Sequence, residues 1–285
     1  MRNKARRYGL RILLIQENGR HEENRNYREC FSLQRSFEKF GNDCDVWGFG
    51  HDNFDVVPDW ESYDWIINLE NYDSTGWVPD LSGVKNPKKF LWSIDAHCRG
   101  EAIYENTFRI GNYDILLHST KDFVKQKYHR WFPNAFDDSL IKPLDIETKY
   151  ELGFCGNYVN RKPILEWLEQ NHGLHLDIFV IGDAMVEAVN SYKCQFNLNI
   201  GNDINYRSFE TIGCGTLLLT NHNYQYEELG FVDGKNCLMY KNQNELEEKI
   251  QFIKTNNVEE IANKGFELSL NNTYNNRVEE LLRNE

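Results

Sequence analysis

The chain has 285 residues, enough for two domains of about 140 residues each. Hydrophobic residues make up 40% and aromatic residues 14%, which is sufficient for packed cores and indicates a folded globular protein. The net charge of −12 argues against a general nucleic-acid-binding protein, because neutralising phosphates requires a basic surface.

Membrane and redox signals are weak in this sequence. No apolar run reaches the ~18 residues that span a bilayer, and the first apolar stretch, residues 10–15, is too short for the core of a signal peptide. The seven cysteines stand singly, without a C-x-x-C pair, which is typical of reduced, buried thiols and gives no zinc signature. We therefore expect a cytoplasmic protein.

The first half of the chain alternates apolar runs with helical patterns. Predicted strands cover residues 9–16, 44–49, 65–69, 89–94 and 114–118. A helix with apolar residues mostly three or four apart runs from Tyr27 to Phe40, and another lies near residues 101–106. This alternation indicates a parallel sheet covered by helices on both faces.

A second alternation follows a proline-bearing break. Residues 134–149 contain Pro143 and no periodicity, and we interpret them as a linker between an N-terminal domain, 1–133, and a C-terminal domain, 150–285. Predicted strands in the second domain cover residues 150–155, 176–181, 195–200 and 216–220. Predicted helices cover 162–170, 184–191, 209–214, 245–254, 258–268 and 274–282. The pattern predicts an α/β protein of two Rossmann-like domains facing each other across a cleft, with ligands bound at the carboxyl ends of the strands.

The segment from Asn205 to Tyr240 carries the most specific motif. It contains R-S-F-E at Arg207–Glu210, then the glycine turn G-C-G before an apolar strand, and finally G-K-N before a second short strand. This run resembles the C-terminal half of GT-B glycosyltransferases, and within them it is most similar to the CgeB-like group related to glycosyltransferase family 4. The ending N-T-Y-x-x-R, from Asn272 to Arg277, resembles the H-T-Y-x-x-R ending of that group, with Asn272 where histidine is common.

The resemblance implies a GT-B enzyme that moves a sugar from a nucleotide-diphosphate sugar, most commonly a UDP-sugar, to an acceptor hydroxyl. It assigns Glu210 to the ribose hydroxyls and Arg207 to a phosphate or sugar contact. Physical chemistry supports the placement, because the helix that begins near Tyr206 offers unpaired N–H groups and a positive dipole end to a diphosphate. A carboxylate one turn further along accepts hydrogen bonds from hydroxyls.

The same resemblance extends to two neighbouring loops. Gly156 and Asn157 follow the first strand of the second domain, and Arg161, with Lys162 as the alternative, takes the place of a cation that neutralises the departing diphosphate. Asn202, followed by Asp203, stands where family 4 enzymes usually carry a glutamate that orients the donor sugar. Whether the reaction retains or inverts configuration therefore stays open, as does the effect of Asn202 on activity.

Three loops of the first domain supply candidate acceptor and catalytic residues. Asp95 and His97 follow the fourth strand, and His97 is a candidate general base, with a helix-capping role as the alternative for Asp95. His118 ends the fifth strand, and Gly19 and Arg20 follow the first, which makes all three candidate acceptor contacts.

The sequence predicts no cofactor and no bound metal. Asp43-Cys44-Asp45 is interpreted as a turn before a strand, and no D-x-D motif ends a strand. The acceptor stays open among glycans, lipid-linked glycans, proteins and modified nucleic acids, as does the oligomeric state. Two alternatives also remain: an epimerase or hydrolase of GT-B fold, and a non-catalytic paralogue that binds a sugar nucleotide.

Overall fold

The computed structural model describes residues 9–70 and 76–285, and these divide into two compact units. Unit 1 contains the described residues up to Pro133 together with Tyr274–Glu285, and unit 2 contains Asn134–Thr273. The predicted boundaries differ from this division at two places. Residues 134–149, predicted as a linker, belong to unit 2, and the C-terminal helix belongs to unit 1.

Each unit contains one parallel sheet, as far as the described residues show. Unit 1 has the strands β1 (Arg11–Ile15), β2 (Asp43–Trp47), β3 (Trp65–Leu69), β4 (Lys88–Ser93), β5 (Ile115–His118) and β6 (His129–Trp131), in the order β2-β1-β3-β4-β5-β6. Unit 2 has β7 (Gly153–Gly156), β8 (His175–Ile178), β9 (Cys194–Asn197), β10 (Leu217–Asn221) and β11 (Leu238–Tyr240), in the order β11-β10-β9-β7-β8. Neighbouring strands run parallel throughout both sheets.

Helices connect many of the strands, because parallel neighbours need a crossover connection. They are α1 (Glu29–Lys39), α2 (Ala96–Arg99), α3 (Glu101–Ile110), α4 (Lys162–His172), α5 (Gly182–Asn190), α6 (Tyr206–Gly213), α7 (Gln225–Glu228), α8 (Gln243–Thr255), α9 (Glu259–Ser269) and α10 (Tyr274–Asn284). Short 3₁₀ helices cover Glu22–Tyr27, Trp60–Ser62 and Lys121–Phe123.

Local sequence explains where these elements begin and end. All five residues of β3 are buried, because a parallel sheet covered on both faces gives its central strands no solvent-facing side. Pro163 lies in the first turn of α4, where the missing N–H costs nothing, and Gly173 ends that helix in the left-handed conformation with φ 74°.

The C-terminal helix α10 packs within unit 1 through one apolar face. Its buried residues include Tyr274, Val278 and Leu281, and the Tyr274 ring meets Trp92 of β4 edge to face. Arg277 is also buried and donates from Nε to the Pro133 carbonyl oxygen at 3.2 Å. Burial lowers the pKa of Arg277 to about 10. Arg277 of the N-T-Y-x-x-R ending thus makes a buried contact inside unit 1.

The predicted α/β architecture is confirmed, with three local corrections. The three-residue strand β6 was not predicted. Asp43-Cys44-Asp45, predicted as a turn, forms the start of β2. Cys98 is exposed, whereas the other six cysteines are buried as expected. Among the described helices, none combines the length and hydrophobicity needed to cross a membrane.

Candidate functional site

The carboxyl ends of β7, β9 and β10 are adjacent in the unit 2 sheet and carry most of the polar motif residues. Gly156 and Asn157 follow β7, the loop of residues 198–205 follows β9, and α6 begins directly after that loop. Open α/β sheets bind ligands at this edge, because the loops there converge on a crevice. The structure therefore brings the predicted donor-binding residues to one end of one sheet.

Arg207 is fixed in place by four groups around its guanidinium. Nε donates to the Cys155 carbonyl oxygen at 2.6 Å, and Nη1 donates to Asn197 Oδ1 at 3.0 Å. The guanidinium carbon lies 4.7 Å from the ring centroid of Phe154, in cation–π geometry. Since a guanidinium has five N–H donors, these two hydrogen bonds set its plane and leave donor capacity for an anion.

Gly156 is the fourth group, and it makes room for this arrangement. A Cβ on Gly156 would lie 2.2 Å from Arg207 Nη2, and the backbone there has φ 138°, which favours glycine. The glycine at the end of β7 therefore forms the surface on which the Arg207 guanidinium lies.

Arg161 and Glu210 complete a charged group that we call the arginine cluster (Arg161, Arg207 and Glu210). Arg161 Nε donates to the Leu198 carbonyl oxygen at 2.8 Å, which joins the loop after β7 to the loop after β9. Burial and, to a smaller extent, the positive charge of Arg161 lower the pKa of Arg207 to about 10, while Glu210 opposes the shift. The cluster thus holds two cations and one anion close together, with the cations partly stripped of water.

A network of neutral side chains contacts the arginine cluster through Arg207. We call it the amide network, and its members are Asn197, Asn199, Asn205, Ser208, Thr220 and Tyr226. Asn197, fully buried, accepts at Oδ1 from Asn205 Nδ2 at 3.1 Å and from Arg207, and it donates from Nδ2 to Ser208 Oγ at 3.0 Å. The Tyr226 hydroxyl lies 2.7 Å from both Asn199 Nδ2 and Ser208 Oγ. Apart from Asn205 Oδ1, which has no hydrogen-bond partner, the side chains of this network bond to one another and hold the loop after β9 and α6 in a single arrangement.

The remaining predicted donor residues lie in the same two loops. Asn157 accepts from the Val159 amide at 2.9 Å and so shapes the turn before α4. Asn202 is exposed, and its carbonyl oxygen accepts from Gln225 Nε2 at 2.5 Å. Asp203 is buried beside it.

In unit 1, an acidic residue that sequence reasoning missed holds the loop after β4. Glu70, at the end of β3, accepts from the backbone amides of Ile94 and Asp95 at 2.7 and 3.2 Å. It also accepts from the Tyr104 hydroxyl and pairs with Arg99 Nε at 3.1 Å. Burial raises the pKa of Glu70 above the usual glutamate value, although the hydrogen bond from Tyr104 opposes the shift. The sequence signal that could have identified Glu70 is an acidic residue directly after an apolar strand.

The predicted catalytic residues stand on the loop that Glu70 holds. Asp95 precedes α2 without capping it through its side chain, which lies 3.8 Å from Arg99. His97, in the first turn of α2, is partly buried. Gly19 and Arg20 lie in the loop after β1, where Gly19 has φ 76° and Arg20 is exposed. The amide of Asn18 in that loop donates to the Phe49 carbonyl oxygen at 2.8 Å.

The structure corrects the position of His118. It is fully buried within β5, so it offers no surface to an acceptor. Burial lowers the pKa of His118 to about 3, and the charges of His129 and Lys125 act in the same direction. The sequence pattern predicted strand β5 correctly. It could not show whether the side chain of the last strand residue, His118, points into the core or toward solvent.

A family model described as glycosyl transferase-like matches residues 138–283, just over half of the chain. The chain belongs to this glycosyl transferase-like family. Among curated proteins, none matches the sequence significantly.

Solved structures show which fold this glycosyl transferase-like chain adopts. Similar ones include HepE from Anabaena in complex with UDP and glucose (11% identity, 97% of this chain and 100% of that chain, TM-score 0.64). Sucrose-phosphate synthase from Thermosynechococcus elongatus is also similar (12% identity, 95% and 96% covered, TM-score 0.66), as is an alpha-glucosyltransferase in complex with UDP and a 13-mer DNA (12% identity, 93% and 96% covered, TM-score 0.64). The predicted GT-B fold is thereby confirmed.

Proposed function

We propose that this glycosyl transferase-like protein moves a sugar from a nucleotide-diphosphate sugar, with UDP as the nucleotide, to an acceptor hydroxyl. The observation that carries the proposal is the pair of guanidinium groups, Arg161 and Arg207, that backbone carbonyls immobilise at neighbouring strand ends of unit 2. We also propose that the protein belongs with the CgeB-like group, since the R-S-F-E motif lies on α6 beside these groups.

Electrostatics favours a diphosphate as the ligand of the arginine cluster. The burial of Arg207 and the nearby charge of Arg161 both penalise the protonated guanidinium, as the lowered pKa of Arg207 reflects. A bound diphosphate relieves both penalties, because it replaces lost hydration with charge-assisted hydrogen bonds. The same cations stabilise the negative charge that grows on the leaving diphosphate. In enzymes, one such charge-stabilising donor contributes about 2.7–4 kcal/mol.

In this proposal Glu210 holds the ribose and Arg161 and Arg207 hold the diphosphate. Asn202 and Asp203, in the loop after β9, are proposed contacts of the donor sugar. The presence of UDP in the HepE and alpha-glucosyltransferase complexes supports a uridine nucleotide. Two guanidiniums supply the positive charge, so the proposed donor chemistry uses no metal.

For the acceptor we propose residues of unit 1. Asp95 or His97 takes the acceptor proton if the reaction inverts configuration, whereas the leaving phosphate takes it if configuration is retained. Gly19 and Arg20 are proposed acceptor contacts. The buried His118 is no longer part of this proposal.

Calorimetric binding of UDP, GDP, ADP and CMP tests the donor site. We expect UDP to bind the wild type and Glu210→Ala to weaken it by about 10- to 100-fold, the effect of losing hydrogen bonds to a charged group. The matched control is Glu248→Ala, which removes an exposed glutamate from α8. Equal affinities of both variants for UDP, or no binding of any nucleotide to the wild type, would contradict the assignment.

A further inference from the structure

Three side chains with metal-binding groups meet in unit 1, and the proposed function uses none of them. Glu105 of α3, His118 of β5 and His129 of β6 form what we call the histidine cluster. One ligand atom from each residue lies within 4.8 Å of the other two. Three different elements of the fold therefore bring two imidazoles and a carboxylate to one point.

His118 is the buried member, and it lacks the partners that a buried imidazole needs. The side chain is fully buried, and neither ring nitrogen has a hydrogen-bond partner. Leaving a buried polar group unsatisfied costs about 1–3 kcal/mol, so an unpaired histidine at 0% exposure calls for a reason. A metal ion bound by one of the two ring nitrogens would satisfy that nitrogen and explain why His118 is buried without a hydrogen bond.

His129 presents its second nitrogen to the same point. Its Nδ1 lies 2.8 Å from the Phe123 carbonyl oxygen, and the backbone amides of Lys125 and Gln126 are directed at the same nitrogen at 3.1 and 3.4 Å. Its Nε2 lies 2.8 Å from Glu105 Oε1, without the angle of a hydrogen bond. Metal binding through Nε2 requires the tautomer in which Nδ1 carries the proton and donates it to the Phe123 carbonyl oxygen, so that Nε2 presents a lone pair. Metal-binding histidines are commonly oriented by such a carbonyl contact.

We infer that the histidine cluster binds a first-row transition-metal dication, with Zn²⁺ as the ion that best suits two imidazoles and one carboxylate. Tetrahedral bonds of about 2.0–2.2 Å place ligand atoms about 3.3–3.6 Å apart, so binding draws the widest pair together by up to about 1.5 Å. Glu105, whose side chain is 31% exposed, is the member that can move.

The surface next to Glu105 provides access for the ion and for water. A groove of about 440 Å³ is lined by Ala102, Glu105, Asn106, Phe108, Arg109 and Tyr128. Water entering from this groove fills the fourth position of the metal. Because its protein ligands come from α3, β5 and β6, the ion joins a helix to two strands at one edge of the unit 1 sheet, and its binding stabilises that unit.

Titration of chelator-treated full-length protein with Zn²⁺ alone tests this inference. Calorimetry in the presence of a competing chelator gives the affinity, and thermal unfolding gives the stabilisation. We expect one ion per chain and a higher unfolding temperature with Zn²⁺. Both Glu105→Gln and His118→Gln are expected to weaken Zn²⁺ binding by about 10- to 100-fold or more.

The control is Glu101→Gln, which changes a carboxylate one turn earlier on α3 that pairs with Lys125. It should bind Zn²⁺ like the wild type. Glu105 is partly exposed, so its variant folds and decides the question even if His118→Gln does not. The inference is overturned if no saturable Zn²⁺ site exists, or if Glu105→Gln binds Zn²⁺ as tightly as Glu101→Gln. Because the assay contains no nucleotide, its failure would leave the donor-site proposal unaffected.

Discussion

At the scale of single residues, the position of Arg207 depends on a glycine, Gly156. Arg207 lies against Gly156, and a Cβ there would come within 2.2 Å of the guanidinium. The cation is therefore positioned by one backbone carbonyl, the buried side chain of Asn197, an aromatic ring and a glycine, with no flexible surface group involved. Such rigid placement is what preorganised charge stabilisation requires.

Replacing this glycine should displace Arg207. For Gly156→Ala we predict a loss of UDP affinity of about tenfold or more, because the guanidinium must leave its position. Gly173→Ala is the matched control, since Gly173 also has positive φ, 74°, but has no atom within 4 Å of its Cβ position. Both variants carry backbone strain on the order of 1–3 kcal/mol. Calorimetry with UDP separates them, and an equal loss of affinity in both would contradict the role given to Gly156.

The amide network makes a second residue-scale prediction. Tyr226→Phe removes a fully buried hydroxyl that contacts Asn199 and Ser208, and we expect it to lower the free energy of unfolding by about 1–3 kcal/mol. Tyr240→Phe removes a buried hydroxyl that has no hydrogen-bond partner, and should leave the free energy of unfolding unchanged or raise it by up to about 1–3 kcal/mol. Urea unfolding followed by circular dichroism measures both. A Tyr240→Phe cost as large as that of Tyr226→Phe would refute this account of the network.

Sequence reasoning reached some of these residues and not others, for a physical reason. Arg207 and Glu210 could be identified from the sequence because they are one helical turn apart in a recognisable motif. Asn197 and Tyr226 are 29 positions apart in the sequence, and only folding joins them, through hydrogen bonds to Ser208. The burial of His118 was equally invisible, because the strand pattern leaves open which way the last residue of a short strand points.

At the scale of elements, hydrophobic patterning predicted most strands and helices. The strand β6 escaped because its three residues, His129–Trp131, are too few to show a period. The loop after β4 depends on β3 for its conformation, since Glu70 accepts from two backbone amides at that loop. The sequence of neither segment alone could predict this contact between two strand ends.

The raised pKa of Glu70 makes the stability of this loop depend on pH. A raised folded-state pKa favours the protonated carboxyl, so its stabilisation is complete below the unfolded value of about 4.3 and is lost as pH rises through the folded value. We predict that the wild type loses stability relative to Glu70→Gln as pH rises from about 4 to neutrality, by at most about 1.4 kcal/mol per pH unit.

Tryptophan fluorescence in urea follows this effect, because six of the seven tryptophans lie in unit 1 and only Trp167 lies in unit 2. A stability difference between wild type and Glu70→Gln that stays constant with pH, or that changes in the opposite direction, would contradict the shift.

At the scale of the whole molecule, the chain is two α/β units of GT-B fold whose boundaries do not follow a simple cut in sequence. Two successive alternations of strands and helices predicted both sheets. The membership of α10 in unit 1 was not predictable, because an amphipathic helix pattern shows that a face is buried without naming what covers it. Here the cover includes Trp92, far away in sequence.

The central claim is that the arginine cluster of unit 2 binds and activates a sugar nucleotide. Its most direct test is mass-spectrometric measurement of UDP release from a panel of UDP-sugars by wild type, Arg207→Gln, Glu210→Ala and the control Glu248→Ala. The account predicts slow UDP release by the wild type and the control, with a loss of about 100-fold in Arg207→Gln, typical of removing one charge-stabilising donor, and a clear loss in Glu210→Ala. UDP release that survives unchanged in both cluster variants, or no UDP release from any UDP-sugar by the wild type, would contradict it.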